Sequence, residues 1–242
     1  MNYTLDIHCH TVNSGHAYST IAENAAHAAK VGLTHIGIAD HGPDMPGGAH
    51  RYHFYNLGAL PDYIHGVRIL KGIEANILDA KGTLDFPDQY LAMMDFVIAS
   101  MHREVIVPST REENTAALVN AMENPNLHVL GHPINTVYEI DIEAVVKAAA
   151  KTRTILEMNN HSLIPGSFRY KGEGDYVEML RLCKEYNVNI LASSDAHYHE
   201  SVGNFTHAKR LIEASGISQE LIVNTNIEKL NAAIQAKKDW TR

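Results

Sequence analysis

The sequence predicts an α/β fold, a parallel sheet curled into a distorted seven-stranded βα barrel with its chemistry at the carboxyl ends of the strands. Three observations lead there. Seven short apolar segments recur, each followed by a stretch with helical spacing. Several of those segments are apolar on both faces, as strands covered by helices must be. No charge run, low-complexity tract or linker divides the 242 residues, which predicts one domain over residues 1–242. Periodicity alone does not establish closure, so an open doubly wound sheet stays as the alternative.

In chain order, the strand candidates are residues 3–7, 35–39, 68–74, 95–99, 128–131, 154–158 and 189–192. After the first, Ser19 or Thr20 is placed to cap an alanine-rich helix that runs to about Val31, where Gly32 stops it. The second is followed by a long loop, residues 42–56, rich in Gly, Pro and aromatic side chains, which reads as a mobile lid. Ala80-Lys81-Gly82 reads as a hairpin turn between short strands. Three later helices show apolar residues at i, i+3, i+4 and i+7. They are marked by Thr115, Leu118, Val119 and Met122, by Ile142, Val145, Val146 and Ala149, and by Tyr176, Met179, Leu180 and Cys183. The last set puts Cys183 on a core face.

Composition removes several classes of function. The formal net charge of −8 argues against a general binder of long nucleic acids or anionic membranes. A small anionic substrate stays open, because bound metal ions change the local field. Cys9 and Cys183 are too few and too distant for a disulfide framework, and without a Cys-x-x-Cys pair a thiolate zinc site is excluded. The start MNYTLDIHCH has neither the basic flank nor the apolar core of a signal peptide, and no apolar run approaches the roughly 20 residues of a membrane span. The expected location is the cytoplasm.

The 16 histidines matter by position rather than by number. His8 and His10 close the first strand, and His16 lies in the loop beyond it. Asp40-His41 follows the second strand, Glu74 closes the third, His102 follows the fourth, His132 the fifth, and Asp195-Ala-His197 the seventh. Nine candidate metal ligands (His8, His10, His16, His41, Glu74, His102, His132, Asp195 and His197) thus reach one rim, none of them in the buried middle of a strand. Side chains two apart on a strand share a face, so Asp6, His8 and His10 should point inward, with Ile7 and Cys9 toward the helices. Two adjacent imidazoles can chelate one ion, with Asp6 and Asp40 as supporting carboxylates. Each residue alone has a bland explanation as a turn histidine or a paired core carboxylate; their joint placement at strand ends does not. His27 and His207 fall on helices, His65 in a connection, His35 and His128 at the opposite strand ends, and His199 at the surface. His50, His53 and His161 lie near the rim, within reach of a substrate. Arg51, Arg103, Arg169 and Lys171 also lie there, each with simple solvation as the plainer reading.

The strings LDIHCHT, ADHG, GIEANI, MH followed by GHP, and SDAH resemble the signature of the PHP-domain (polymerase and histidinol phosphatase) family. The longer runs HAYSTIAENAAHAAKVGL, DHGPDMPGGAHRYHFYN, KGIEANILD and YEIDIEAVVKAAAK resemble its YcdX-like phosphatase branch, and the likeness extends to about residue 235. The resemblance implies a distorted seven-stranded βα barrel holding three divalent ions. His8, His10, Glu74 and Asp195 would hold one ion, and His16, His41 and His197 the second. Glu74 would bridge to the third, completed by His102 and His132. Imidazole and carboxylate donors without thiolate suit zinc, manganese or iron, and the resemblance implies zinc. It also implies a homotrimer.

The expected function is therefore a metal-dependent phosphatase acting on phosphate monoesters. Three divalent ions against two ligand carboxylates leave a positive surplus matched to a small phosphorylated substrate, with metal-bound hydroxide as nucleophile and no separate general base. The alternatives are a histidinol-phosphate-type phosphatase, a phosphoesterase acting on nucleotides or short oligonucleotides, an amide hydrolase of the amidohydrolase type, and a metal storage or sensing protein.

Overall fold

In the computed structural model, which describes residues 1–240, seven parallel strands form a nearly closed barrel. They are β1 (Leu5–Cys9), β2 (His35–Ile38), β4 (Val67–Asn76), β5 (Phe96–Ser100), β6 (Val129–Leu130), β7 (Ile155–Asn159) and β8 (Ile190–Ser193). They neighbour one another in that order, and the short β3 (Tyr63–Ile64) pairs antiparallel with β4. The seam between β8 and β1 is bridged at its carboxyl end by the parallel pair Cys9 and Ala196. At its other end the Asn224 amide stands in for a peptide. It donates to Leu5 O at 3.1 Å and Ala192 O at 2.6 Å and accepts from Ala192 N at 2.6 Å.

The helices are α1 (Ile21–Lys30), α2 (Arg51–Tyr55), α3 (Asp88–Leu91), α4 (Arg111–Ala121), α5 (Ile142–Thr152), α6 (Gly174–Tyr186), α7 (Thr206–Ser215) and α8 (Ile227–Lys238). Thr20 caps α1 with a full capping box to Glu23, and the chain then breaks at Gly32 with φ 84°. Ser19 instead receives the His199 amide. Cys183 is buried on α6, as its spacing predicts. Among the described residues no helix is long and apolar enough to cross a membrane.

The barrel interior is filled by Leu5, Ile7, Phe96, Ile98, Val129, Ile155 and Leu191, and closed from below by Leu230, Ala233 and Ile234 of α8. Phe96 fits because β2 and β4 present glycine: a Cβ on Gly37 or Gly72 would lie 2.6 or 2.4 Å from its ring. Because strand side chains alternate, the interior residues two further along face the same way. Those residues are Glu74, Ser100, Glu157 and Ser193, so a polar layer sits directly above an apolar one.

Four features differ from the sequence expectation. The register between β1 and β2 shifts between Asp6 and Cys9, so Ile7 joins the interior cluster while Cys9 joins the helix-side one. The strict alternation predicted for Asp6 through His10 is therefore broken, and Asp6 turns away from the histidine rings, accepting only from the His8 backbone amide. The first and third predicted strands also run further than expected, so that His8, placed just past the first, and Glu74, placed as the last residue of the third, lie inside β1 and β4. The hairpin around Lys81 contains one bridge, between Ile77 and Leu84, instead of two strands. The turn that does join two strands is His65-Gly66, both with positive φ. Lastly, the 42–56 segment is well anchored. Ala49 and Phe54 pack with Ile73, Phe86 and Leu91, and His53 Nε2 lies 3.1 Å from Asp40 Oδ2.

Candidate metal centre

All nine predicted side chains converge at the carboxyl rim. His8, His10 and Glu74 bring ligand atoms within 4.8 Å of one another, as do His41, Glu74 and His102, and His10, His41 and His197. His132 Nε2 lies 2.9 Å from Glu74 Oε1, and Asp195 Oδ1 lies 3.2 Å from His10 Nε2 and 3.6 Å from His8 Nε2. His16 Nε2 is 3.0 Å from His197 Nε2. Two of the three tight groups exchange one member relative to the sets implied by the resemblance. The rings are crowded enough for this: His10 has its centroid 4.3 Å from that of His41 and 4.2 Å from that of His197.

The backbone helps to aim these groups. His132 and Asp195 follow β6 and β8 with φ of 22° and 54°, a left-handed region that non-glycine residues seldom occupy. Burial is deep: His8, His10 and Glu74 are fully buried, and only His16 and His197 reach solvent appreciably.

A supporting set holds the rings. Glu157 on β7 contacts His8 Nδ1 at 2.5 Å, accepts from Ser193 Oγ at 2.5 Å, and accepts from the His132 amide at 2.5 Å. Ser14 Oγ meets His10 Nδ1 at 3.2 Å and donates to Asp40 at 2.6 Å, and Asp40 also accepts from Thr11 N and Oγ. Asn76 Oδ1 takes the His102 Nδ1 contact at 2.8 Å, and Ser100 Oγ donates to Glu74 at 2.7 Å. Asp40 thus supports a histidine through Ser14, as expected of it. Asp6 holds no imidazole ring: its carboxylate accepts from the backbone amides of His8, Ser194 and Gly203, because the β1 irregularity directs it outward.

Glu157 is a residue that sequence reasoning missed. Its one signal is a lone carboxylate in a strand buried along its whole length, two residues after interior-facing Ile155. Arg169 was underrated. Far from being solvated, it is 7% exposed and its Nη2 donates to Asp195 Oδ2. Arg103 and His161 also line the cavity above the cluster, whereas Arg51, Lys171, His50 and His53 do not. His50 caps α2, and Lys171 pairs with Asp175.

The electrostatics call for cations. Burial works against a charge on His8, but Glu157, Glu74 and Asp195 outweigh it and hold its imidazole well above the usual value. Burial, with His197 and His41, drives His10 well below it. Burial and the Arg169 guanidinium take His132 down to about 4, and burial takes His197 to about 4 against the pull of Asp195. Burial would raise Glu74, yet His8, His102 and His41 hold it well below the carboxylate range. The neutral imidazoles of His10, His132 and His197 therefore crowd around the ionised Glu74 and Asp195, and His8 holds a proton that a bound cation would displace. His8 Nε2, His10 Nε2, His41 Nε2 and His102 Nε2 are buried without a hydrogen-bond partner, while His41 Nδ1 lies 2.7 Å from Glu74 Oε2. Unpartnered buried polar atoms are costly, and divalent cations satisfy this donor set with imidazole nitrogen and carboxylate oxygen.

Above the cluster opens a cavity of about 450 Å³. His16, His41, His102 and His197 form its floor, and Met45, Met101, Asn135, Val137 and Phe168 contribute to its walls.

A βα barrel with such a cluster at its carboxyl rim has the architecture of a metal-dependent barrel enzyme. The chain belongs to the PHP domain family, whose model matches residues 6–214. It is 42% identical to a probable phosphatase of Clostridium novyi over 98% of this chain and 96% of that one. It is 43% identical to a probable phosphatase of Acetivibrio thermocellus over 100% of this chain and 99% of the other. Among solved structures, it resembles the histidinol phosphate phosphatase of Lactococcus lactis, complexed with zinc, L-histidinol and phosphate. The TM-score is 0.62 at 19% identity, covering 89% of this chain and 95% of that one. That likeness bears on the fold.

Proposed function

We propose that the protein is a metal-dependent phosphatase that hydrolyses phosphate monoesters at the carboxyl rim of its barrel. The observation that carries this reading is the set of buried, unpartnered imidazole nitrogens converging on Glu74. The full-length likeness to two proteins named probable phosphatases supports it.

The resident group on this reading is three divalent ions, zinc being the choice for this donor set. His8, His10, Glu74 and Asp195 would hold one, His16, His41 and His197 another, and Glu74, His102 and His132 the third. When bound, the ions supply Lewis acidity toward a phosphoryl oxygen and lower the pKa of water. The chain's own residues do the rest. Glu157, Ser14 and Asn76 each occupy Nδ1 of His8, His10 and His102, leaving Nε2 of each ring directed into the cluster. Arg169 steadies Asp195, while its Nε–H, buried and unpartnered beside the cavity, would donate to a phosphoryl oxygen. Glu74, Glu157, Asp195 and the supporting Asp40 against Arg169 leave the groups around the cluster with a net charge of −3, short of what three divalent ions supply. The surplus suits a phosphate dianion better than a neutral amide. The reading goes with a cytoplasmic protein whose partner is a small phosphorylated molecule, assembled as a homotrimer.

The test is phosphate release from a panel of sugar phosphates, nucleotides and short oligonucleotides, with metal analysis of the same preparation. Release that is lost on chelation and restored by zinc or manganese is expected. No release from any monoester by fully metal-loaded protein would contradict the reading.

A further inference from the structure

The cavity wall says something about the alcohol that leaves. Met45, Pro46, Met101 and Val137 make much of it apolar. Phe168 stands on the same wall and is 59% exposed, so its ring is open to a molecule in the cavity. Its place is fixed, because Thr136 Oγ donates to Phe168 O at 2.7 Å and so ties the loop after β7 to the loop after β6. Two guanidinium groups attend the ring, with Arg103 Cζ 5.7 Å and Arg169 Cζ 5.1 Å from its centroid. The wall thus offers a phenyl face and flat guanidinium planes, all surfaces on which a π system stacks.

Charge points the same way. Glu104 is the one carboxylate among the residues lining this cavity, and it is engaged by Arg103 Nε at 2.9 Å. Arg103 pairs with Glu104 and Arg169 with Asp195, so the wall presents guanidinium groups with no carboxylate left free. An ammonium group on the leaving alcohol would meet two guanidiniums and no free carboxylate.

Resting on the phosphatase reading above, we infer that the site takes phosphate monoesters whose leaving alcohol carries a flat π system with neutral or anionic substituents, and that it disfavours amine-bearing alcohols. Phe168 and Arg103 are the residues that set this preference. A histidinol-type amino alcohol falls on the disfavoured side.

Four synthetic esters with closely similar leaving-group basicity test this on the zinc-reconstituted protein. Benzyl phosphate should exceed cyclohexylmethyl phosphate in kcat/KM by about two- to tenfold, the range of an added aromatic contact. 4-Carboxybenzyl phosphate should exceed 4-(aminomethyl)benzyl phosphate by about two- to fivefold, a ratio that shrinks with added salt because Arg103 is exposed. Phe168→Leu should bring the first ratio to about one, and Arg103→Gln should abolish the second. Calorimetry with benzylphosphonate and cyclohexylmethylphosphonate should show the first preference in binding as well. Equal turnover of benzyl and cyclohexylmethyl esters, or a preference that survives Phe168→Leu, overturns the inference while leaving a phosphatase. Turnover of none of the four, with phosphate still released from the sugar phosphates or nucleotides, overturns the inference alone; release from neither set overturns the phosphatase reading as well.

Discussion

The two ends of the barrel use buried histidine in opposite ways. At the amino end, His128 is 1% exposed, and its Nδ1 accepts the Val97 amide at 2.9 Å. Burial, with Lys238 and Lys237 nearby, pushes it down to about 3, so it serves as a neutral acceptor that completes the β5–β6 edge. At the carboxyl end, His8 and His10 are equally buried, but their Nε2 atoms face carboxylates and other imidazoles. Burial is common to both ends and identifies neither. The difference lies in whether the free lone pairs converge, and only the upper layer gathers them around one glutamate.

If that contrast is right, the largest effect follows from removing the shared glutamate. Glu74→Gln keeps the size and one oxygen but not the charge. It should fold, lose more than one equivalent of metal, and lose turnover by more than the roughly 100-fold that a supporting residue costs. His132→Ala should chiefly cost one ion, while His27→Ala and His207→Ala, on helix faces, should keep both metal and activity. Near-normal metal and turnover in Glu74→Gln would reduce that carboxylate to a structural strand residue.

Below the polar layer the expected damage is of another kind. Phe96→Ala leaves a hole above Gly37 and Gly72 and should cost about 3–5 kcal/mol in urea unfolding, with the folded fraction still binding metal. Metal loss out of proportion to unfolding would show that the two layers are not separable. A smaller effect is expected from Glu157→Gln, which weakens the hold on His8 without removing a ligand. Metal affinity should fall roughly 10- to 100-fold, measured by competition with a chelator.

The smallest shift concerns His128 and pH. Its folded pKa lies near 3 and its unfolded value near 6.5, so within that window the unfolded chain binds the extra proton. Stability therefore falls as pH drops below about 6.5. Between pH 7.5 and 5, this one group should cost about 2 kcal/mol. His128→Asn, which keeps an acceptor for Val97 N, should lose correspondingly less than the wild type in metal-free protein. Equal losses would remove His128 from the account.

How far all this was legible depends on the residue. The repeating apolar segments place the seven parallel strands within two residues, and strand-end chemistry places the nine side chains, because both depend on local spacing. Glu157 escaped because its role depends on His8, 149 residues away in sequence, and a single acid in an apolar run carries no periodicity of its own. Asp6 was misassigned for the complementary reason. A one-residue irregularity in a five-residue strand leaves no trace in a pattern that is buried throughout. Arg169 lies in a loop, where no period exists to say which way a side chain turns. The plug formed by α8 and the seam closed by Asn224 likewise arise only when the barrel curls round to meet its first strand.

The most direct test of the central claim, that convergent lone pairs rather than buried histidine make the site, is metal stoichiometry. The wild-type chain, reconstituted with zinc, freed of excess and subjected to elemental analysis, should hold about three ions per chain. One ion or none would contradict the account.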